Sequence, residues 1–341
     1  MKVGIVGASG YSGELLLDLL SRHPRVSVAT VTSRQHAGRR VSEVIPSLRG
    51  RMGDLTFSLS EPARVARERE VDLFFLALPH GIASGYAEAL LSAGKKVIDL
   101  SADFRLDSAE SYREYYGAEH PNPELLQKSS YVLPEVAGEA WKKFLLLASP
   151  GCYPTSVLLP LIPLLREKVL DGQGIVISSF SGVSGAGRKL AEDLLFCERA
   201  ESAKAYGVPR HRHLSEMEEQ LGGAAENPVI LQFTPHLAPM RRGIISTTVV
   251  PAQDKGIDSL YECWHRTFET KPFVTVLPPG ATPDSQHVVG TNRIDMSAVY
   301  DKRTGNFIIT SALDNLMKGA SGQAVQIMNL WCGFEETAGL L

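Results

Sequence analysis

Short, uniformly apolar runs alternate with amphipathic stretches through the first half of the chain. Lys2–Val6, Val26–Thr32, Leu73–Leu78, Lys96–Leu100 and Leu145–Ala148 read as buried strands. Between them, Gly13–Ser21 and Ile82–Ser92 carry apolar positions at helical spacing, and Arg64–Glu70 reads as a charged helical face. Strands that are apolar on both sides and separated by helices imply an α/β unit with a parallel sheet covered on both faces. The second half differs. Tyr153–Lys168 predicts a helix kinked by Pro160 and Pro163. Beyond it, Ile175–Ser179, Val229–Phe233, Ile244–Val250, Val274–Leu277 and Ile308–Leu313 read as strands with one clear helix among them, Ile257–Glu269. That texture predicts a second, α+β domain rich in antiparallel strands. Ala320–Trp331 predicts a final helix able to pack back on the first domain. The expected division is 1–148 plus about 314–341 against 149–313.

The length of 341 residues suits roughly two domains. Hydrophobic residues at 44% and charged residues at 21% exclude disorder as the main state. A net charge of −3 argues against a nucleic-acid binder. No apolar run approaches the ~20 residues needed to span a bilayer, and the N-terminus has no leader-like region. The four cysteines have no paired spacing, which disfavours a zinc site or a disulfide framework. A cytoplasmic protein acting on a small molecule, without metal, is expected.

Gly7-Ala8-Ser9-Gly10-Tyr11-Ser12-Gly13 closes the first strand and opens the first helix, the context that a dinucleotide phosphate site requires. Gly7 suits a tight turn, and Gly10 suits close approach of a pyrophosphate to backbone N–H groups. The helix start offers further N–H groups and partial positive charge. The spacing is a G-x-x-G-x-x-G variant, and a turn that uses glycine for packing alone is the simpler alternative. At the end of the second strand, an NAD site carries Asp or Glu for the ribose 2′-OH. Here Thr32-Ser33-Arg34-Gln35 has no carboxylate. Ser33 can donate to a 2′-phosphate and Arg34 can pair with it, so NADPH/NADP is the expected cofactor.

Cys152 follows a short strand and precedes a helix, within Ser149-Pro150-Gly151-Cys152-Tyr153-Pro154-Thr155. A helix N-terminus stabilises a thiolate and so makes a nucleophile. Its proton partner is sought in Arg210-His211-Arg212-His213, the densest titratable cluster in the chain. Glu216, three residues after His213, can orient that imidazole if a helix starts at Leu214. His211, between two arginines, suits anion binding. His236 is the rival imidazole. Ser101 and Arg105 lie past a parallel strand, where ligands bind in such sheets, and Arg105 can grip a phosphate. Ser181 and Gly182 open a second glycine-rich loop able to admit the cofactor. Asn315, in a third, can bond a nicotinamide carboxamide.

Together these residues resemble one family, the N-acetyl-γ-glutamyl-phosphate reductases, relatives of aspartate-semialdehyde dehydrogenase. The resemblance covers essentially the whole chain. It rests on Gly7–Gly13, Ala77-Leu78-Pro79-His80-Gly81, Ser101–Leu106, Ser149–Thr155, His211-Arg212-His213, Thr234–Met240 and Asp314–Gly322, with Pro150–Thr155 the most specific. It implies Cys152 as nucleophile, the acid/base within His211–His213, the cofactor turn at Gly7–Gly13 and a nicotinamide contact at Asn315. The implied fold is a Rossmann domain completed by the C-terminal helix, plus an α+β domain that mediates assembly into a homodimer or homotetramer. The implied reaction is NADPH-dependent reduction of N-acetyl-L-glutamyl 5-phosphate to the semialdehyde and phosphate through a cysteine thioester, in arginine biosynthesis. A reductase of carrier-protein-bound aminoadipyl phosphate in a lysine route is a second reading, disfavoured by Tyr153-Pro154-Thr155. A non-catalytic NADP sensor is a third, disfavoured by Cys152 and the histidine pair.

Overall fold

In the computed structural model, which describes residues 1–188 and 190–341, the five apolar runs of the first half form one parallel sheet together with a short strand that was not expected, Ser129–Tyr131. Its strands are β1 (Lys2–Val6), β2 (Ser27–Thr32), β3 (Leu73–Leu76), β4 (Lys96–Asp99), β5 (Ser129–Tyr131) and β6 (Leu146–Ala148). Their order is β2-β1-β3-β4-β6-β5, and every pairing is parallel. Every residue of β3 is buried, as a strand covered on both faces requires. The order reverses around β1, so the ends of β1 and β3 flank the crevice where ligands bind in such sheets. Helices α1 (Tyr11–Leu20), α2 (Ala83–Ser92) and α3 (Ala109–Tyr116) belong to the same unit.

Two readings of this region need correction. Arg64–Glu70 is not a helical face: the helix there is the four residues Pro62–Val65, because only Val65 in that charged run finds the core. Helix α3 was not anticipated. Its apolar face is essentially Tyr112, but its ends carry clear signals. The Ser108 hydroxyl caps the Ser111 N–H, and Gly117 takes a left-handed conformation.

The second unit, Gly151–Gly319, is built on a seven-stranded mixed sheet. Helix α4 (Cys152–Arg166) opens it. The strands β7 (Ile175–Gly182), β8 (Lys204–Ala205), β9 (Leu231–Ala238), β10 (Ile244–Pro251), β11 (Val274–Val276), β12 (Ile294–Asp301) and β13 (Asn306–Leu313) follow, with helices α5 (His213–Ala225) and α6 (Ile257–Phe268) between them. The order is β11-β12-β13-β10-β7-β9-β8, antiparallel except at β11/β12 and β7/β9. Strand β12 was missed because Asp295 breaks its apolar run; Arg293 neutralises that buried carboxylate at 2.7 Å. Strand β9 starts two residues later than expected and continues through Pro235, because only the two-residue β8 covers that edge. Buried residues alternate strictly along β10. The opposite side of the sheet is open in the single chain, with Val176 and Phe180 exposed. After this unit the chain returns to the first through α7 (Gly322–Trp331), whose Asn329 bonds His23 at 2.9 Å.

Helix α4 runs unbroken through Pro160 and Pro163, both of which were expected to kink it. Pro160 cannot donate to the Ser156 carbonyl four residues back. The Ser311 hydroxyl on β13 takes that place, donating to the carbonyl at 2.7 Å. The Trp264 indole N–H on α6 donates to the Pro160 carbonyl at 2.9 Å. The donor that Pro160 lacks is thus supplied by a neighbouring strand, and a second neighbour bonds the same residue's carbonyl. Ser311→Ala, which leaves a buried carbonyl unpaired, should lower stability by about 1–3 kcal/mol. Urea unfolding with an unchanged m-value checks this; an unmoved midpoint contradicts it.

Candidate active site

The glycine turn after β1 divides its labour. Gly7 has φ +83°, and a Cβ there would lie 2.3 Å from the Ala77 carbonyl oxygen. A Cβ at Gly13 would lie 2.5 Å from the Gly7 carbonyl oxygen. Both are demanded by the fold. Gly10 is not: the nearest atom to its Cβ position is 3.6 Å away, so the protein itself leaves room there. The position that packing does not require is the one where a pyrophosphate approaches backbone. Gly10 is also the N-cap of α1, with no side chain capping the helix. The turn therefore fits a dinucleotide.

Past β2, the buried Ser33 hydroxyl bonds the Ser9 hydroxyl at 2.9 Å, tying the two proposed cofactor segments together. Tyr11, at the start of α1, and Arg34 are exposed, and Ser12 is half-buried. The following turn adds a cation that was not anticipated: the Arg39 guanidinium lies 3.4 Å from the His36 ring.

At the end of β4, Asp99, Ser101, Asp103 and Arg105 form a buried polar network. The Ser101 hydroxyl donates to Asp99 at 2.7 Å. Asp103 accepts the Gly81 and Ser84 backbone N–H groups. Arg105 donates from Nε to the Ser149 carbonyl and from a terminal nitrogen to the Leu100 carbonyl, both at 2.9 Å. Its guanidinium thus braces the backbone three residues before Cys152. Burial, then the charge of Asp103, pushes the Asp99 carboxyl up to about 7.

Cys152 is half-buried and is the first residue of α4, with Gly151 extended as N-cap. The dipole and free N–H groups of a fifteen-residue helix therefore stand at its sulfur. Three features fix this start. The Glu216 carboxylate on α5 accepts the Gly151 N–H at 2.7 Å. Sequence reasoning assigned Glu216 to orienting His213; the structure shows it holding the Gly151 N–H. One turn into α4, the Ser156 hydroxyl joins Ser246 and Ser179 in a buried chain with both links at 2.7 Å. Against the other side of Cys152 lies Gly319, within a π-helical turn, Met317–Ser321. A Cβ on Gly319 would stand 2.7 Å from the Cys152 Cβ and 3.1 Å from its Cα.

Gly319 itself has little freedom. Its N–H bonds the Asp314 carbonyl at 2.9 Å. The buried Asp314 carboxylate accepts the N–H groups of Gly290, Leu316 and Met317 and pairs with Arg242 at 2.7 Å. Sequence reasoning placed no role on Gly319, Asp314 or Arg242. Asn315 bonds the Gly243 N–H and the Ser184 hydroxyl through opposite ends of its amide. Ser181 is buried, and Gly182 is required by packing, since its Cβ would lie 2.7 Å from the Arg242 nitrogen.

The two histidines stand together, with ring centroids 4.9 Å apart, and both pack edge-on against Tyr153. Helix α5 starts at His213 itself, one residue before the expected Leu214. The His213 backbone N–H donates to His211 Nδ1 at 3.1 Å, which leaves the His211 proton on Nε2. Burial, then the charge of Arg212, pushes the His211 imidazole down to about 4. At neutral pH His211 is therefore an uncharged donor. His236 stacks on Phe180 instead, with ring centroids 4.5 Å apart.

A turn that fits a dinucleotide and a thiol at the start of a long helix are thus present in the one chain. The family model described as the semialdehyde dehydrogenase NAD binding domain matches residues 2–144, and the one described as the semialdehyde dehydrogenase dimerisation domain matches residues 152–315. Solved structures share the fold: aspartate semialdehyde dehydrogenase II of Vibrio cholerae complexed with ASA (TM-score 0.73, 18% identity, 97% of this chain and 98% of that one) and the Candida albicans aspartate semialdehyde dehydrogenase with NADP (TM-score 0.69, 15% identity, 96% and 97%). Among curated proteins, the N-acetyl-gamma-glutamyl-phosphate reductase of Geobacter sulfurreducens is 50% identical over 345 residues, and that of Akkermansia muciniphila 48% over 343, each covering 100% of this chain and 98% of the relative. The chain belongs to the N-acetyl-γ-glutamyl-phosphate reductase family, an oxidoreductase family with a nicotinamide-dinucleotide domain.

Gly319→Ala should displace the sulfur and lower kcat by about 10²-fold, the scale of a 1 Å misplacement. Circular dichroism should stay native while alkylation of Cys152 slows; unchanged kcat contradicts the role. A second expectation concerns pH. The folded Asp99 carboxyl holds its proton to about 7 against 3.8 in the unfolded chain. Its contribution to stability is full below the unfolded value and is lost as pH rises through the folded one. Tm should therefore fall between about pH 4 and pH 7, and Asp99→Asn should flatten that fall. Identical slopes in both proteins count against it.

Proposed function

We propose that the protein reduces N-acetyl-L-glutamyl 5-phosphate to N-acetyl-L-glutamate 5-semialdehyde and phosphate, through a thioester on Cys152, as a step of arginine biosynthesis. The observation that carries this reading is Cys152 at the first position of a walled-in helix, in a chain half identical over its full length to reductases of that name.

The Cys152 sulfur attacks the acyl-phosphate carbon, and phosphate departs with the bonding pair. The resulting thioester accepts hydride far more readily than a carboxylate does. The dinucleotide held at Gly7, Ser9, Gly10, Tyr11, Ser12 and Gly13 supplies hydride when bound. Ser33, Arg34 and Arg39 favour a 2′-phosphate, so the cofactor is NADPH rather than NADH. Asn315 keeps one amide N–H beyond its bond to Ser184, and it is the proposed carboxamide partner, with Ser181 and Gly182 as further contacts. Arg105 is the proposed partner of the substrate's anionic groups, while Ser101, expected to share that role, has its one proton on Asp99 and only supports this network. His213 moves the proton on and off the tetrahedral oxygen, while neutral His211 donates a hydrogen bond from Nε2. Collapse expels the Cys152 thiolate and frees the aldehyde. A second copy of the chain covers the open sheet face, giving a homodimer or homotetramer; the family description of a dimerisation domain supports this.

Run in reverse with N-acetylglutamate semialdehyde, the enzyme should reduce NADP only when phosphate is present. Cys152→Ser should fold and bind NADP yet lose turnover; retention of more than about a tenth of kcat overturns the thioester route. Arg34→Ala should raise KM for NADP about ten- to a hundredfold and leave that for NAD nearly unchanged.

A further inference from the structure

Beside the nucleophile lies a hydrogen-bond chain whose direction is fixed. The Tyr206 hydroxyl donates to the Tyr153 hydroxyl at 3.2 Å, and Tyr153 donates to the His236 carbonyl at 3.3 Å. The Ser181 side chain also bonds the Tyr153 hydroxyl. With the Tyr153 proton on the His236 carbonyl, none is left for Tyr206. The single proton of Tyr206 is therefore committed to Tyr153. Among the described residues nothing donates to the Tyr206 oxygen. That oxygen offers lone pairs and no proton.

Tyr206 belongs to the surroundings of Cys152. Its partner Tyr153 is the next residue after the nucleophile, and its ring packs edge-on against His211 with centroids 5.4 Å apart. The residue is 37% exposed, so a ligand can reach it. Burial pushes its phenol up to about 12, and the charge of the Cys152 thiolate acts in the same direction. Tyr206 is therefore a neutral acceptor at working pH and does not serve as a base.

We propose that Tyr206 is a specificity residue that accepts the amide N–H of the substrate's acylated amino group. The inference rests on the substrate class proposed above. In an N-acylglutamyl phosphate at neutral pH, the carboxylate, the phosphoryl oxygens and the carbonyls only accept hydrogen bonds; the amide N–H is the one donor. An oxygen that can only accept matches that group and no other on the molecule. Reach agrees as well. Four bonds separate the attacked carbon from the nitrogen, which places the N–H within roughly 5 Å of the carbon that Cys152 attacks.

The test pairs one atom of the protein with one of the substrate. Wild type and Tyr206→Phe are assayed, with phosphate and NADP, on N-acetylglutamate semialdehyde and on its ester isostere, in which oxygen replaces the N–H. Tyr206→Phe should lower kcat/KM for the amide about tenfold, mainly through KM. The loss should shrink to about twofold or less on the ester, and Cys152 should alkylate at the wild-type rate. Equal losses on both substrates, slower alkylation, or no loss on either would show that Tyr206 does not read the amide, with the reductase function still standing. Wild type that oxidises neither aldehyde overturns the proposed function and this role together.

Discussion

Gly319 meets Cys152 with no space for a methyl group between them, and much of the second unit is arranged around that contact. Neither side can retreat. Behind Gly319, the Asp314 carboxylate gathers three backbone N–H groups and the Arg242 guanidinium. Behind Cys152, the Ser156, Ser246 and Ser179 hydroxyls lock the rotation of the helix, and Glu216 holds the N–H of its N-cap. Buried polar groups of this kind are costly unless every member is satisfied, and these specify a single arrangement. A thiol on a flexible loop has the same chemistry but lacks the fixed line of approach to an acyl carbon.

The protonation states around the thiol follow from the same burial. His211 is held neutral, and both Tyr153 and Tyr206 are kept as phenols. Neutral groups with fixed donor and acceptor ends read a polar ligand without competing for its charge. In the reaction proposed above, negative charge on the Cys152 sulfur is met instead by the backbone dipoles at the start of α4, which need no reorganisation.

Five of the six parallel strands were legible because they are apolar runs between helices, whereas the short, half-buried β5, Ser129–Tyr131, was not; the glycine turn was legible because it sits between strand and helix. Cys152 was legible as a helix start from its Gly and Pro neighbours. What escaped was set by long-range contacts. Strand β12 hides behind Asp295, which only a paired Arg293 makes tolerable in the interior. Gly319 looked like one glycine of a loop, since its role depends on a residue far away in sequence. The expected kink in α4 failed for a similar reason: the partner that repairs the gap left by Pro160 comes from β13. Glu216 was noticed for its spacing from His213, whereas its bond to Gly151 crosses sixty-five positions that no local pattern spans.

Pro160 in α4 also bears on when the helix of Cys152 can be completed during synthesis. The Ser156 carbonyl waits for the hydroxyl of Ser311, 155 residues further along the chain. At ribosomal speeds that interval is about 10–30 s. Until β13 emerges, the nucleophile helix lacks a hydrogen bond that holds its first turns, and Gly319, which walls in the sulfur, comes later still. Most of translation therefore passes before the helix that carries Cys152 has the partners that fix its start.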